Sequence, residues 1–172
     1  MGGIRVATLQ DAGAIARVHV ESWRTTYAGI VPAEYLASLD VGQREVSWRE
    51  WLPLDIDVFV AEVDGEVVGF VGGGAIREPV EGVDAELFAI YLLRDAQRRG
   101  IGMALLKRLA GSLKARGYRS MMAWVLEDNS SGEFYSRSGG VRVASKEMEV
   151  GGVMLPVMAY GWGDLEGIIV EG

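Results

Sequence analysis

Residues 97–102 read Gln97-Arg98-Arg99-Gly100-Ile101-Gly102. Two arginines beside two glycines suit the holding of an anion. Glycine has no side chain to keep a phosphate from the backbone, and arginine adds fixed charge. Residues 101–116 carry Ile101, Leu105, Leu106, Leu109 and Leu113 on one stripe, with Gly117 just beyond. That pattern predicts an amphipathic helix ending on a glycine cap. The start of such a helix exposes unpaired N–H groups and the positive end of its dipole, where anions bind. Residues 94–119 hold eight bases and one acid, a local +7 in a chain of net charge −7, which leaves −14 elsewhere. A basic island fits one docked polyanion; a solvated basic helix face gives the same sum. The spacing is not a nucleotide P-loop, and Leu105 stands where a dinucleotide fingerprint needs its third glycine.

The elements that position this turn follow from periodicity. Ile4–Thr8 alternates as a strand, and Asp11 stands as the N-cap of a helix to about Trp23 with Ile15, Val18 and Ser22 on its stripe. Pro32 opens a short helix over 33–39, and residues 43–51 suit another. Strands are expected at 58–63 and 67–75 across Asp64-Gly65, and at 84–93 leading into the basic turn. After the 101–116 helix come a strand at 120–125, a short helix at 129–138, and strands at 142–150 and 153–160 across Gly151-Gly152. Gly72-Gly73-Gly74 suggests a bulge or a close approach in the third strand. The tail after Gly161 has no clear assignment. The order describes one α/β domain over 1–172, core about 4–160, whose mixed, mostly antiparallel central sheet is flanked by helices.

Between strand and helix, Gln97-Arg98-Arg99-Gly100-Ile101-Gly102 resembles the coenzyme A motif Q/R-x-x-G-x-G/A of the GCN5-related N-acetyltransferases. The resemblance extends to Ile4–Thr8 with its helix, Ser22-Trp23-Arg24 through Tyr27, Val58–Glu62, Val68-Gly69-Phe70, and Phe134-Tyr135 with Gly139-Gly140. It covers residues 4–160. It implies an enzyme that moves an acetyl group from acetyl-CoA directly to a primary amine, with no metal. It implies that the main chain of Ile90, Tyr91 and Leu92 pairs with the pantetheine arm. Gln97, Arg98, Arg99, Gly100, Ile101, Gly102 and Met103 would hold the pyrophosphate. Either Asn129 or Asp128 takes the family's Asn role, because Asn129 is six residues before Tyr135 and the usual spacing is seven. Arg94 stands where the family commonly has proline.

Two roles remain. Glu86, six residues before Leu92, is the candidate base. Even spacing puts Glu86, Phe88, Ile90 and Leu92 on one face, and apolar neighbours should partly desolvate the carboxylate and raise its pKa. A Glu in water or in a salt bridge is the other reading. Tyr135 takes the position of the general acid, or else packs under the last helix. Trp23 and Tyr27 fall where the family resembled here places its acceptor wall, as do Trp48 and Trp51, and all four also suit plain packing. His19 is expected at an exposed or core-edge position. A non-catalytic acyl-CoA-binding domain of the same fold is the alternative function, and a protein-binding adaptor a third.

Composition narrows the field. Absent cysteine excludes disulfides, thiolate nucleophiles and cysteine-ligated metals, and one histidine leaves metal sites to carboxylates. Twenty-four glycines in 172 residues is about twice the usual ~7%, yet 49% apolar content is too hydrophobic for disorder. The acidic balance argues against nucleic acid, and no apolar run approaches the ~20 residues of a membrane span. No signal pattern opens the chain, so a cytoplasmic location is expected. The expected partner is an amine acceptor, with a second copy of the chain as a further candidate.

Overall fold

The computed structural model describes residues 2–129 and 132–170. Seven strands form one sheet: β1 (Gly2–Val6), β2 (Asp57–Val63), β3 (Glu66–Val80), β4 (Val83–Leu92), β5 (Met121–Leu126), β6 (Val141–Val150) and β7 (Val153–Trp162). Their order is β1-β2-β3-β4-β5-β7-β6. Every neighbouring pair is antiparallel except β4 with β5. The helices are α1 (Ala12–Thr26), α2 (Ala33–Ser38), α3 (Val41–Trp51), α4 (Ile101–Ala115), α5 (Gly132–Arg137) and α6 (Leu165–Val170). The mixed, mostly antiparallel sheet with flanking helices is as expected.

Local sequence explains the turns. Asp64 and Gly65 both take positive φ, as do Gly151 and Gly152. Such two-residue loops match the strand twist and join β2 to β3 and β6 to β7. Helix α4 ends as its sequence requires. Gly117 is left-handed and donates to the Lys114 carbonyl, while Tyr118 donates to that of Leu113. Tyr118 also packs with Leu113 against the core, completing the cap. Asp11 sits where a cap is expected, but its carboxylate accepts from Arg5 and from the Thr8 N–H instead of capping α1.

Each sheet face has its own core. Leu105, Leu106, Leu109 and Leu113 of α4 pack with Phe59, Val71, Ala85, Leu87 and the α6 residues Leu165 and Ile168. On the opposite face Ile15 and Val18 of α1 pack with Trp48 of α3, Val60 and Phe70. A third cluster joins Tyr27, Val31 and Leu36 to Leu126, Val150 and Val157. The tail that sequence left unassigned is therefore the helix α6, closing the first core.

The β3–β4 pair departs from regular register. Gly72 opposes Ala89 and Gly73 opposes Leu87, so Phe88 is an extra residue. The glycines do mark a bulge, but β4 carries its additional residue. Gly73 has a separate reason for lacking a side chain. A Cβ there would lie 2.7 Å from the Glu86 carbonyl oxygen and 2.9 Å from Leu109. β3 also runs five residues beyond the expected end at Ala75.

Candidate functional site

β4 and β5 touch only at Ala85–Met121 and Glu86–Met122. Beyond those pairs β4 runs on to Leu92 and β5 to Leu126 without pairing to each other, which opens a V-shaped cleft. The Leu93 N–H donates to Val68 of β3, so by strand alternation the backbone groups of Ile90 and Leu92 point away from β3, into the cleft. The Leu92 carbonyl accepts from Ser22 at 3.3 Å and from the Gln97 side chain at 3.2 Å. Gln97 thus braces the turn against the strand end.

The basic turn lies beyond that strand. Arg98 and Gly100 are both left-handed, at φ 63° and 80°. Ile101 and Met103 turn their side chains to the core, leaving only their main chain for a ligand. Gly102 sits at a three-way junction, where a Cβ would lie 3.3 Å from Phe134 of α5 and 3.4 Å from Leu92. Arg98 and Arg99 are exposed and make no ion pair with a described residue. Three other bases of the island are engaged elsewhere. Lys114 pairs with Glu166, Arg116 with Asp55 and Asp57, and Arg108 stacks on Phe59 while donating to Ile4. The +7 segment is therefore divided: part of its helical stretch is taken up by contacts within the protein, while Arg98 and Arg99 stand exposed beside the start of α4.

The bulge revises the expected face of β4. Ala85, Leu87, Ile90 and Leu92 face α4, whereas Ala89 and Tyr91 face α1 and α3. Glu86 alternates with Ala85 and Leu87 and so points away from Ile90 and Leu92. The extra Phe88 breaks the even spacing. The Glu86 side chain is 3% exposed and bound by Arg77, whose own side chain is 64% exposed. Oε1 accepts from the Arg77 backbone N–H at 3.1 Å and Nε at 3.2 Å, and Oε2 accepts from Nη2 at 2.6 Å. The Arg77 guanidinium lies 4.5 Å from the Phe88 ring centre. Of the two sequence readings of Glu86, the salt bridge is the one formed.

Tyrosines line the mouth of the cleft. Tyr27 and Tyr91 share a hydroxyl contact of 3.4 Å, and the Asn129 amide donates to Tyr27 at 3.4 Å. Asp128 makes no such contact. Tyr135 is buried, stacked on Tyr160 at 5.4 Å between ring centres. Burial, with the nearby Tyr27 and Tyr160, pushes its hydroxyl above the usual phenol value. Burial raises Tyr27 too, partly offset by its two hydrogen bonds, and carries Tyr91 well upward. All three remain protonated donors near neutral pH. The Trp23 indole N–H is buried without a well-formed hydrogen bond, although it lies near enough to the Tyr91 hydroxyl to ease its ionisation. Trp23 packs edge-on to Tyr27. Trp48 and Trp51 belong to another cluster, over α1 and β3.

His19 sits at the core edge, as expected. Its ring stacks on Tyr91 at 5.3 Å, and Nδ1 accepts from the Trp48 indole at 3.2 Å. Burial and then the charge of Arg44 lower its pKa to about 3, so it is neutral.

Sequence reading missed Arg77. The register partner of Glu86 is Gly74, and the register shift between Ala75 and Val80 brings the Arg77 N–H and guanidinium onto the Glu86 carboxylate. Ending β3 at Ala75 hid that pair.

This is the fold and cleft of an acetyltransferase. The model of the "Acetyltransferase (GNAT) family" matches residues 18–139. The chain belongs to that family and is an acetyl-CoA-dependent N-acetyltransferase. It is 45% identical over 166 residues to the uncharacterized N-acetyltransferase YuaI of Bacillus subtilis (strain 168), covering 96% of this chain and 95% of that protein. It is 31% identical over 146 residues to the spermidine N(1)-acetyltransferase of Thermoplasma acidophilum, covering 79% and 86%. Among solved structures, the PaiA N-acetyltransferase of Thermoplasma acidophilum in complex with coenzyme A shares the fold. Its TM-score is 0.70 at 24% identity, over 94% of this chain and 99% of that one. Among the described residues, no helix is long and apolar enough to cross a membrane.

Proposed function

We propose that the chain transfers the acetyl group directly to a primary amine on a cationic acceptor, with Glu86 taking the amine's proton and Tyr135 serving the leaving sulfur. The V-shaped cleft carries this reading. It opens from the Glu86–Met122 pair, Tyr135 is buried against Tyr160 of β7, and the turn before α4 follows the end of β4. The main chain of Ile90 and Leu92 takes the pantetheine arm, and the Asn129 amide steadies the opposite wall through Tyr27. The N–H groups at the start of α4, with Arg98 and Arg99, take the diphosphate. Gln97 and Met103 contribute position rather than charge.

A protonated amine first gives up a proton to Glu86, which passes it to solvent. The neutral nitrogen then attacks the thioester carbon. The N–C bond forms, the C–S bond breaks, and the nitrogen sheds its second proton while the sulfur gains one. A thiol has a pKa of about 8.5 and a phenol about 10, and burial raises Tyr135 further. Complete proton transfer from Tyr135 is therefore uphill, and its contribution is a hydrogen bond to the developing thiolate.

The cationic class of acceptor rests on two supports. The chain outside the basic island carries −14, and a relative 31% identical acts on spermidine. Turnover of acetyl-CoA with spermidine, a lysine-containing peptide and a small neutral amine tests the class. Preference for the neutral amine would refute it. Glu86→Gln should lower kcat/KM by ~10²–10³, and Tyr135→Phe should lower kcat by ~10-fold or more. Unchanged turnover in either variant removes that residue's role.

A further inference from the structure

The Glu86 carboxylate is nearly inaccessible, yet its counter-ion is an exposed arginine. Arg77 reaches it from an irregular part of β3, between the register positions Ala75 and Val80. The guanidinium lies over Phe88 and forks onto both carboxylate oxygens. A carboxylate beside an aromatic face is the environment that binds an organic cation. The neighbouring residue repeats the construction. Glu78 holds Lys146 at 2.6 Å, and Lys146 lies 4.3 Å from the Trp124 ring centre. Trp124 is two residues along β5 from Met122, the register partner of Glu86. One sheet face thus carries two adjacent boxes of carboxylate and ring, each filled by a cation of the protein itself.

We propose that Arg77 is a stand-in ligand: it occupies the cation subsite formed by Glu86 and Phe88, and the acceptor's ammonium displaces it. This rests on Glu86 serving the acceptor amine. Arg77 is then a positioning residue that keeps a buried carboxylate paired in the absence of acceptor and sets the threshold for acceptor entry. Its exposure makes displacement feasible, because a half-solvated arginine regains water when it swings out. A structural ion pair would instead be built to stay closed.

Calorimetric titration with spermidine needs no turnover and separates the two. Arg77→Ala should bind spermidine about 3- to 10-fold more tightly than the parent chain. Arg77→Lys should fall between them. The double variant Arg77→Ala/Glu86→Gln should lose the gain. Affinity for coenzyme A, measured alongside, reports that each variant is folded. Should Arg77→Ala fail to fold, Arg77→Lys still decides, since it keeps the charge but not the fork. Spermidine binding that is unchanged, weaker or absent in the single variants overturns the proposal. The catalytic reading of Glu86 fails separately, through Glu86→Gln turnover. A slow Glu86→Gln with no change in spermidine affinity for Arg77→Ala leaves the base and removes the stand-in.

Discussion

A single buried imidazole couples this chain's stability to pH. His19 is held neutral by burial and then by the charge of Arg44, in a site where Nδ1 accepts from Trp48 and the ring stacks on Tyr91. Its pKa falls from 6.5 to about 3. Between those values the unfolded chain binds a proton that the native state refuses, so stability rises with pH across the window and is lost as pH falls through it. Full protonation would cost on the order of 5 kcal/mol. Asp11 acts in the same direction lower down, because hydrogen bonds from Arg5 depress its pKa and its contribution is lost on acidification. Urea unfolding between pH 7 and pH 4.5 should show the loss in the parent chain. His19→Asn offers the Trp48 N–H another acceptor and cannot titrate, so its stability should be nearly flat over that range. An equal slope in both chains would refute the assignment.

Glycines inside α4 and β3 have opposite uses at the scale of elements. Gly73 is required because its missing Cβ leaves room for the Glu86 carbonyl and for Leu109. Gly73→Ala should destabilise by roughly 1–3 kcal/mol through overpacking. Gly111 lies in α4 with nothing within 4 Å of its would-be Cβ. Gly111→Ala should stabilise by about 0.5–1 kcal/mol, since alanine is the better helix former. Urea midpoints of the two variants, moving in opposite directions, check both statements. The same scale shows what the sequence makes legible. The α4 stripe and its glycine cap, the Asp64-Gly65 and Gly151-Gly152 turns, and the basic turn before α4 are all local patterns, and the structure has each of them. The face of Glu86 is not local. It depends on the bulge at Phe88, which arises from pairing between strands. Arg77 was hidden for the same reason, since its partner is set by the register of a hairpin rather than by neighbours in sequence. Helix α6 is short and carries a weak helix former, Gly167, at its centre, so what fixes it is the tertiary burial of Leu165 and Ile168 against α4.

Charge at the scale of the whole molecule separates the coenzyme site from the rest of the basic segment. Helix α4 is 15 residues long, which is about 22 Å at 1.5 Å per residue. Lys114 and Arg116 stand at its far end and are already paired with Glu166, Asp55 and Asp57. At physiological salt, screening acts over about 8 Å, so these bases contribute almost nothing to a ligand at the opposite end. Arg98 and Arg99 are exposed beside the start of the helix, with no described acid paired to them. Replacing both with alanine should raise the Kd for coenzyme A by about tenfold, the worth of a few exposed charge contacts. The difference should narrow as salt is raised from 50 to 500 mM. Lys114→Ala should leave that Kd within about twofold, although it loses the contact between α4 and α6. Isothermal titration of the two variants decides the matter. Equal weakening by both would mean that the diphosphate senses the basic segment as one field, and the localisation to the turn would be wrong. Weakening by Arg98 and Arg99 alone would explain how a chain of net charge −7 holds an anionic coenzyme: the anion site is a single turn, set apart from the acidic remainder of the chain.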